Sequence, residues 1–339
     1  MFGRWLTWLR TARGTARAIA AATLLILIVC GTLMWLFDHE PEQFNVREVA
    51  LARAPKPGQN LVRGEVVVAT TIEIVHTLLH KRGGYLSNDV LPPGAWMDNV
   101  PNWEWGVLVQ LRDFAKALRN DFSRSQTQST EDTDLTKADN HLNINNESWM
   151  FPAAESEYGD AEDALKDYLA RLGNKDETST QFYARADNLR NWLAIVEKRL
   201  GDLSQRLSAS VGQVRVNTDL AGEAGAEQST ATPEVRVVQT PWTQIDDVFY
   251  EARGSSWALL HLLRAIEQDF GSVLEKKNAV VSLRQIIREL ESTQDPIWSP
   301  IILNGEGFGF VANHSLVMAS YISRANAAVI ELRMLLERG

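Results

Sequence analysis

Apolar positions run unbroken from Ala18 to Phe37 (AIAAATLLILIVCGTLMWLF) and recur at helical spacing along most of the remaining chain. The uncharged run, as a helix, is about 30 Å long, the thickness of a bilayer's hydrocarbon core, and so predicts a transmembrane helix over 18–37. Residues 38–64 contain Pro41, Pro55, Pro57 and Gly58 without a sustained period, which predicts an extended linker leading away from the membrane. Val68, Ile72, Val75 and Leu79 then mark a helix from Glu65 to Arg82, stopped by Gly83-Gly84. A loop rich in Pro, Trp and Asn is expected from Tyr85 to Trp105, a helix from Val107 to Phe122, and a polar surface excursion over about 123–146.

A helix over about 155–172 and a long one starting near Ser179 or Thr180 follow. In the second, Leu189, Leu193, Val196, Leu200, Leu203 and Leu207 alternate steps of four and three, a heptad seam for pairing with another helix. A seam this short favours a partner in the same chain over a second copy. Val214-Arg215-Val216 and Val235-Arg236-Val237 have period two, fitting a hairpin with a long polar tip at about 217–234, although frayed helix ends give the same pattern. A helical region, kinked near Gly254, is expected over 241–293, and a last helix over about 313–336. Five to seven helices with almost no strand predict a mainly α fold: an N-terminal transmembrane helix, then a helical bundle over 65–339.

The flanks of the apolar run set its orientation. Arg4, Arg10, Arg13 and Arg17 precede it with no acid among them, whereas Asp38, Glu40 and Glu42 follow it. Basic residues stay on the cytoplasmic side, so 1–17 is expected in the cytoplasm and the bulk of the chain outside. Trp35 suits the far interface, and Trp5 and Trp8 suit the near one. A cleaved signal peptide needs small residues after its apolar core, where this chain has Trp35-Leu36-Phe37. An uncleaved signal-anchor is the expectation.

Charge and cysteine usage narrow the setting. All 43 acidic residues follow Phe37 while four of the 34 basic ones precede it, leaving a formal −13 outside the anchor. That argues against nucleic acid and against direct docking onto anionic lipid. Cys30, the single cysteine, sits inside the apolar run, so the outer part is held by an ordinary core, as suits a bacterial periplasm.

Three patterns hint at chemistry. Glu73, His76 and His80 share one side of a helix and can hold a divalent metal, yet they also simply border its apolar stripe; a di-iron bundle would need a second Glu-x-x-His, which is absent. Trp96, Trp103 and Trp105 can form a platform for sugar rings such as those of peptidoglycan, with Glu104, Asp98 and Asp89 as carboxylates for hydrolysis; packing on a helical core is the simpler reading. The glycine-rich loop from Gly305 to Val311 lacks the Gly-Lys-Ser/Thr ending of a phosphate-binding loop and reads as a turn under the last helix. No cofactor is expected from these patterns.

Gly83-Gly84-Tyr85-Leu86-Ser87-Asn88-Asp89, Glu251-Ala252-Arg253-Gly254-Ser255-Ser256-Trp257-Ala258-Leu259-Leu260 and Ala312-Asn313-His314-Ser315-Leu316-Val317-Met318-Ala319-Ser320-Tyr321 together resemble a family of proteobacterial single-pass inner-membrane proteins catalogued as a domain of unknown function (number 2333). The resemblance spans nearly the whole chain. It implies a single-pass topology in a bacterial envelope and implies no activity. The expected partners are therefore the bilayer, through 18–37, and other envelope or membrane proteins or a second copy. The expected role is that of an interaction or scaffold module rather than an enzyme.

Overall fold

The computed structural model describes residues 2–54, 60–125, 130–174, 180–216, 235–297, 302 and 313–338. Among them are eleven α-helices and one two-stranded antiparallel hairpin, so the mainly α expectation holds. Helix α1 runs continuously from Phe2 to Phe37, carrying Arg4, Arg10, Arg13 and Arg17 in its first half. Its segment Thr15–Phe37 is long and apolar enough to cross a membrane, and none of its most apolar window is buried. α1 therefore projects away from the rest of the molecule. It makes contact only near its end, where Phe37 lies against Gly83 and Met34 and Trp35 approach Trp96 to Asn99.

The described parts of the expected extended linker 38–64, residues 38–54 and 60–64, are packed instead. Its first part is an extended strap, and α2 (Val46–Arg53) follows, capped by the Asn45 side chain and burying Val46 and Ala50. Period analysis missed α2 because two buried residues make too short a stripe to register.

α3 (Glu65–His80) is buried on nearly every side. α4 (Asn99–Ala117) begins eight residues before the expected Val107, so Trp103 and Trp105 are helical. Pro101 is tolerated because it lies in the first turn, where backbone N–H groups lack intrahelical partners anyway. The last turn, Leu118–Phe122, winds as a π-helix and still buries Leu118 and Phe122. Inside the expected polar excursion lies α5 (Thr133–Leu142), capped by Asp132 and burying Leu135, Ala138 and Leu142. α6 (Ala154–Leu172) matches expectation, while α7 (Ala186–Ser208) starts later than expected.

β1 (Gln213–Val216) pairs with β2 (Val235–Val238), and residues 217–234 between them lie outside the described set. The expected single kinked helix is three: α8 (Ile245–Asp269), α9 (Gly271–Lys276) and α10 (Val280–Ser292). α8 passes straight through Gly254, where a Cβ would lie 1.9 Å from the Trp103 carbonyl oxygen. That glycine, like Gly106 facing Glu251, lets two backbones touch and introduces no kink. α11 (His314–Glu337) closes the fold, and the glycine-rich loop before it lies outside the described residues.

Cross-links give the helix directions. Asn102 bonds Asp247 and Gln110 bonds Ser255, so α4 and α8 run parallel. Arg206 pairs with Glu251 and Arg199 with Asp113, so α7 runs against both; Arg333 pairs with Glu197 and Ser204 with the Ala319 carbonyl, so α11 opposes α7. His76 meets Glu162 while Ile72 lies beside Leu169, so α6 opposes α3. At the end where α1 joins, here termed the anchor end, α3 and α7 finish while α4, α6, α8 and α11 begin.

Candidate functional site

The sequence motifs converge on the anchor end. Glu104 on α4 is fully buried and accepts hydrogen bonds from the Leu86 and Ser87 amides, both at 2.8 Å, from Ser87 Oγ at 2.5 Å, and from the Lys81 ammonium. Lys81 also donates to the Gly84 carbonyl. Burial pushes the Glu104 carboxyl above the usual range, and the ammonium beside it and these donors pull it back. The Gly83–Asp89 motif is thus wrapped around a buried carboxylate. Glu104, proposed above as a hydrolytic group, is enclosed and fully bonded.

A second buried charge fastens the strap. Arg253 grips Glu40 with Nε 2.7 Å from Oε1 and Nη2 2.5 Å from Oε2, and its Nη1 donates to the carbonyls of Thr293 and Asp295 at 3.0 Å each. Farther along, the Phe44 amide donates to His261 Nε2 at 3.0 Å and its ring stacks on the imidazole at 4.0 Å. His261 Nδ1 lies 2.7 Å from the Trp257 carbonyl, which only accepts. Nδ1 must therefore carry the proton and Nε2 must be bare, a neutral imidazole. Burial favours the same state, pushing His261 down to about 4. The geometry is self-consistent: residues 40 to 44 extended span about 13 Å, and residues 253 to 261 of a helix about 12 Å.

The three expected sugar-platform tryptophans are separated. Trp103 is fully buried, its ring 5.3 Å from that of Trp257; Trp105 is half-buried under the Arg112 guanidinium; Trp96 is exposed. One tryptophan of three faces solvent, so no shared platform forms.

The expected metal trio is also rearranged. Glu73 is held by Arg53 at 2.5 Å. His76 and His80 instead meet Glu162 of α6, ligand atoms of the three lying within 4.8 Å of one another. His76 Nδ1 donates to Glu162 Oε1 at 3.3 Å, and His80 Nδ1 to the His76 carbonyl at 3.0 Å. His76 and His80, but not Glu162, border a recess of about 440 Å³, lined also by His39, Glu42 and Arg82, which can admit a small ion. Lys166, 3.1 Å from Glu162, competes with a cation for that carboxylate. Glu162 was not legible in sequence, since 86 residues separate it from His76 and only the α3–α6 packing joins them.

The expected seam residues Leu189, Leu193, Val196, Leu200, Leu203 and Leu207 are all buried along α7, which packs chiefly on α11. Beside the first turns of α4 and α8, Asp247 is pushed up to about 6 by burial and then by Asp246, Asp98 and Glu251, making this rim acidic.

The fold and this strapped end define a class: a helical bundle strapped to one N-terminal helix long and apolar enough to cross a membrane. Within it, the chain belongs to the bacterial family described as "Uncharacterized protein conserved in bacteria (DUF2333)", whose model matches residues 10–339. No curated protein and no solved structure matches the chain.

Proposed function

We propose that the chain is a single-pass inner-membrane protein with its N-terminus in the cytoplasm, whose helical bundle acts in the periplasm as an interaction or scaffold module. The observation that carries this reading is the strap. Phe37 against Gly83, Glu40 in the grip of Arg253 and Phe44 on His261 couple the bundle to the apolar helix without a free tether. A scaffold must present its surfaces at a fixed height and angle, and such coupling does that. The acidic bundle and the Arg-only flank of α1 support the orientation.

The partners in this reading are other envelope proteins or a second copy. Crosslinking in intact membranes followed by mass spectrometry tests it: reproducible crosslinks from the bundle are expected, and a monomer without recurrent neighbours would overturn it. Protease added to spheroplasts should digest the bundle; protection of everything after Phe37 would invert the topology.

A further inference from the structure

The connections at the anchor end expose large apolar side chains that folding alone would bury. Among the described residues after Phe37, the exposed Trp and Phe side chains are Trp96, Trp149, Phe151 and Trp242, and each lies in an anchor-end connection. Leu91 and Phe151 are 73% and 91% exposed. Phe151 also holds φ +52°, a left-handed conformation that bulky residues avoid, and in it the ring stands clear of the fold.

The segments are tied together. Asn88 donates to the Ser148 carbonyl at 2.9 Å and Tyr85 Oη to that of Asn146 at 3.1 Å, joining the 85–97 loop to the 143–153 loop. The α3–α4 connection that carries the 85–97 loop meets α1 twice, Gly83 at Phe37 and Trp96 to Asn99, the start of α4, beside Met34 and Trp35. It therefore sits at the level where the apolar helix ends.

We infer that Leu91, Trp96, Trp149 and Phe151 form a membrane-docking rim that seats the bundle on the outer leaflet beside its own anchor. The inference rests on α1 crossing the bilayer. Continuity with α1 names the occupant: a helix that projects away from the bundle puts its lipid flush against the connections from which it emerges. Aromatic and aliphatic side chains around a membrane-spanning helix are the chemistry of the headgroup and upper acyl region. The formal −13 after the anchor argues against attraction to anionic lipid, so insertion of apolar groups drives docking, and zwitterionic phosphatidylcholine should suffice.

The test uses the full chain with Cys30→Ser, reconstituted in phosphatidylcholine vesicles and carrying one environment-sensitive fluorophore at Phe151→Cys, Leu91→Cys, Val29→Cys or Val281→Cys. Val29 lies in the apolar helix, and Val281, about as exposed as Leu91, lies at the opposite end of the bundle. Lipids bearing a nitroxide high on the acyl chain should quench Phe151 and Leu91 at least about twofold more than Val281. Nitroxides placed deep should quench Val29. Equal quenching at Phe151, Leu91 and Val281 with Val29 quenched would overturn the docking rim and leave the anchor standing. An unquenched Val29 would remove the anchor reading and the rim with it. All these side chains but Cys30 are exposed in the structure, so misfolding is not the expected cause of a negative result.

Discussion

Two helix pairs hold this molecule together in opposite ways. α7 and α11 meet through side chains: a heptad row of leucines and a valine, with no demand on the backbone. α4 and α8 meet through backbone, Gly254 against the Trp103 carbonyl and Gly106 against Glu251, with Gln110 bonded to Ser255 inside the seam. The first pair is a generic solution that tolerates change at any one knob. The second is specific, and the charges that fix the strap and the anchor-end loops, Arg253 and Glu104, project from it. The molecule places its unforgiving packing where the bundle meets the anchor.

That contrast can be broken, most severely at Glu104. Glu104→Ala should cost about 3–5 kcal/mol in urea unfolding in mild detergent, since Lys81 would be left buried and uncompensated. A loss below about 1 kcal/mol would show that Lys81 reaches water. Gly254→Ala should cost about 3 kcal/mol or more by forcing α4 and α8 apart. Gly201→Ala on α7 meets only Asn326 Nδ2, at 3.6 Å, and should stabilise by up to about 1 kcal/mol through helix propensity. If both alanines behaved alike, the distinction between the two seams would fail.

Acid sharpens the same comparison. His261 sits at about 4 in the folded protein and near 6.5 when unfolded, so its contribution is complete above pH 6.5 and is lost as pH falls toward 4, at most about 3 kcal/mol. Asp269, pushed up to about 6 by burial, works in the opposite sense, gaining stability as pH falls from 6 toward its unfolded value. Unfolding midpoints measured from pH 7 to 4.5 for the parent and His261→Gln should therefore diverge, the variant losing less or even gaining. Parallel curves would mean that His261 does not hold Phe44 as a neutral acceptor.

What was legible in the sequence follows the same division. The α7 stripe, α6 and the apolar run of α1 are local patterns, readable because burial repeats at the helical period. The strap has the sequence of an extended linker because its order comes from partners more than 200 positions away, Arg253 for Glu40 and His261 for Phe44. Gly254 looked like a kink since a glycine in a helix signals flexibility unless the facing carbonyl is known. Trp103 and Trp105 fall in a stretch whose Pro, Trp and Asn content reads as loop, although a proline in the first helical turn, as Pro101 is, costs little. Of the expected metal trio, Glu73 is taken by Arg53. His76 and His80 share a helix face by spacing, but their third neighbour comes from α6, which no spacing within α3 can reveal.

If the strap holds as described, anchor and bundle move as one body. The most direct test is the distance distribution between spin labels at Val29→Cys and Val281→Cys, in a Cys30→Ser background in lipid nanodiscs. A single narrow distribution that broadens in Glu40→Gln/Phe44→Ala is the predicted result; a broad distribution already present in the parent would describe a bundle on a loose tether and contradict the account.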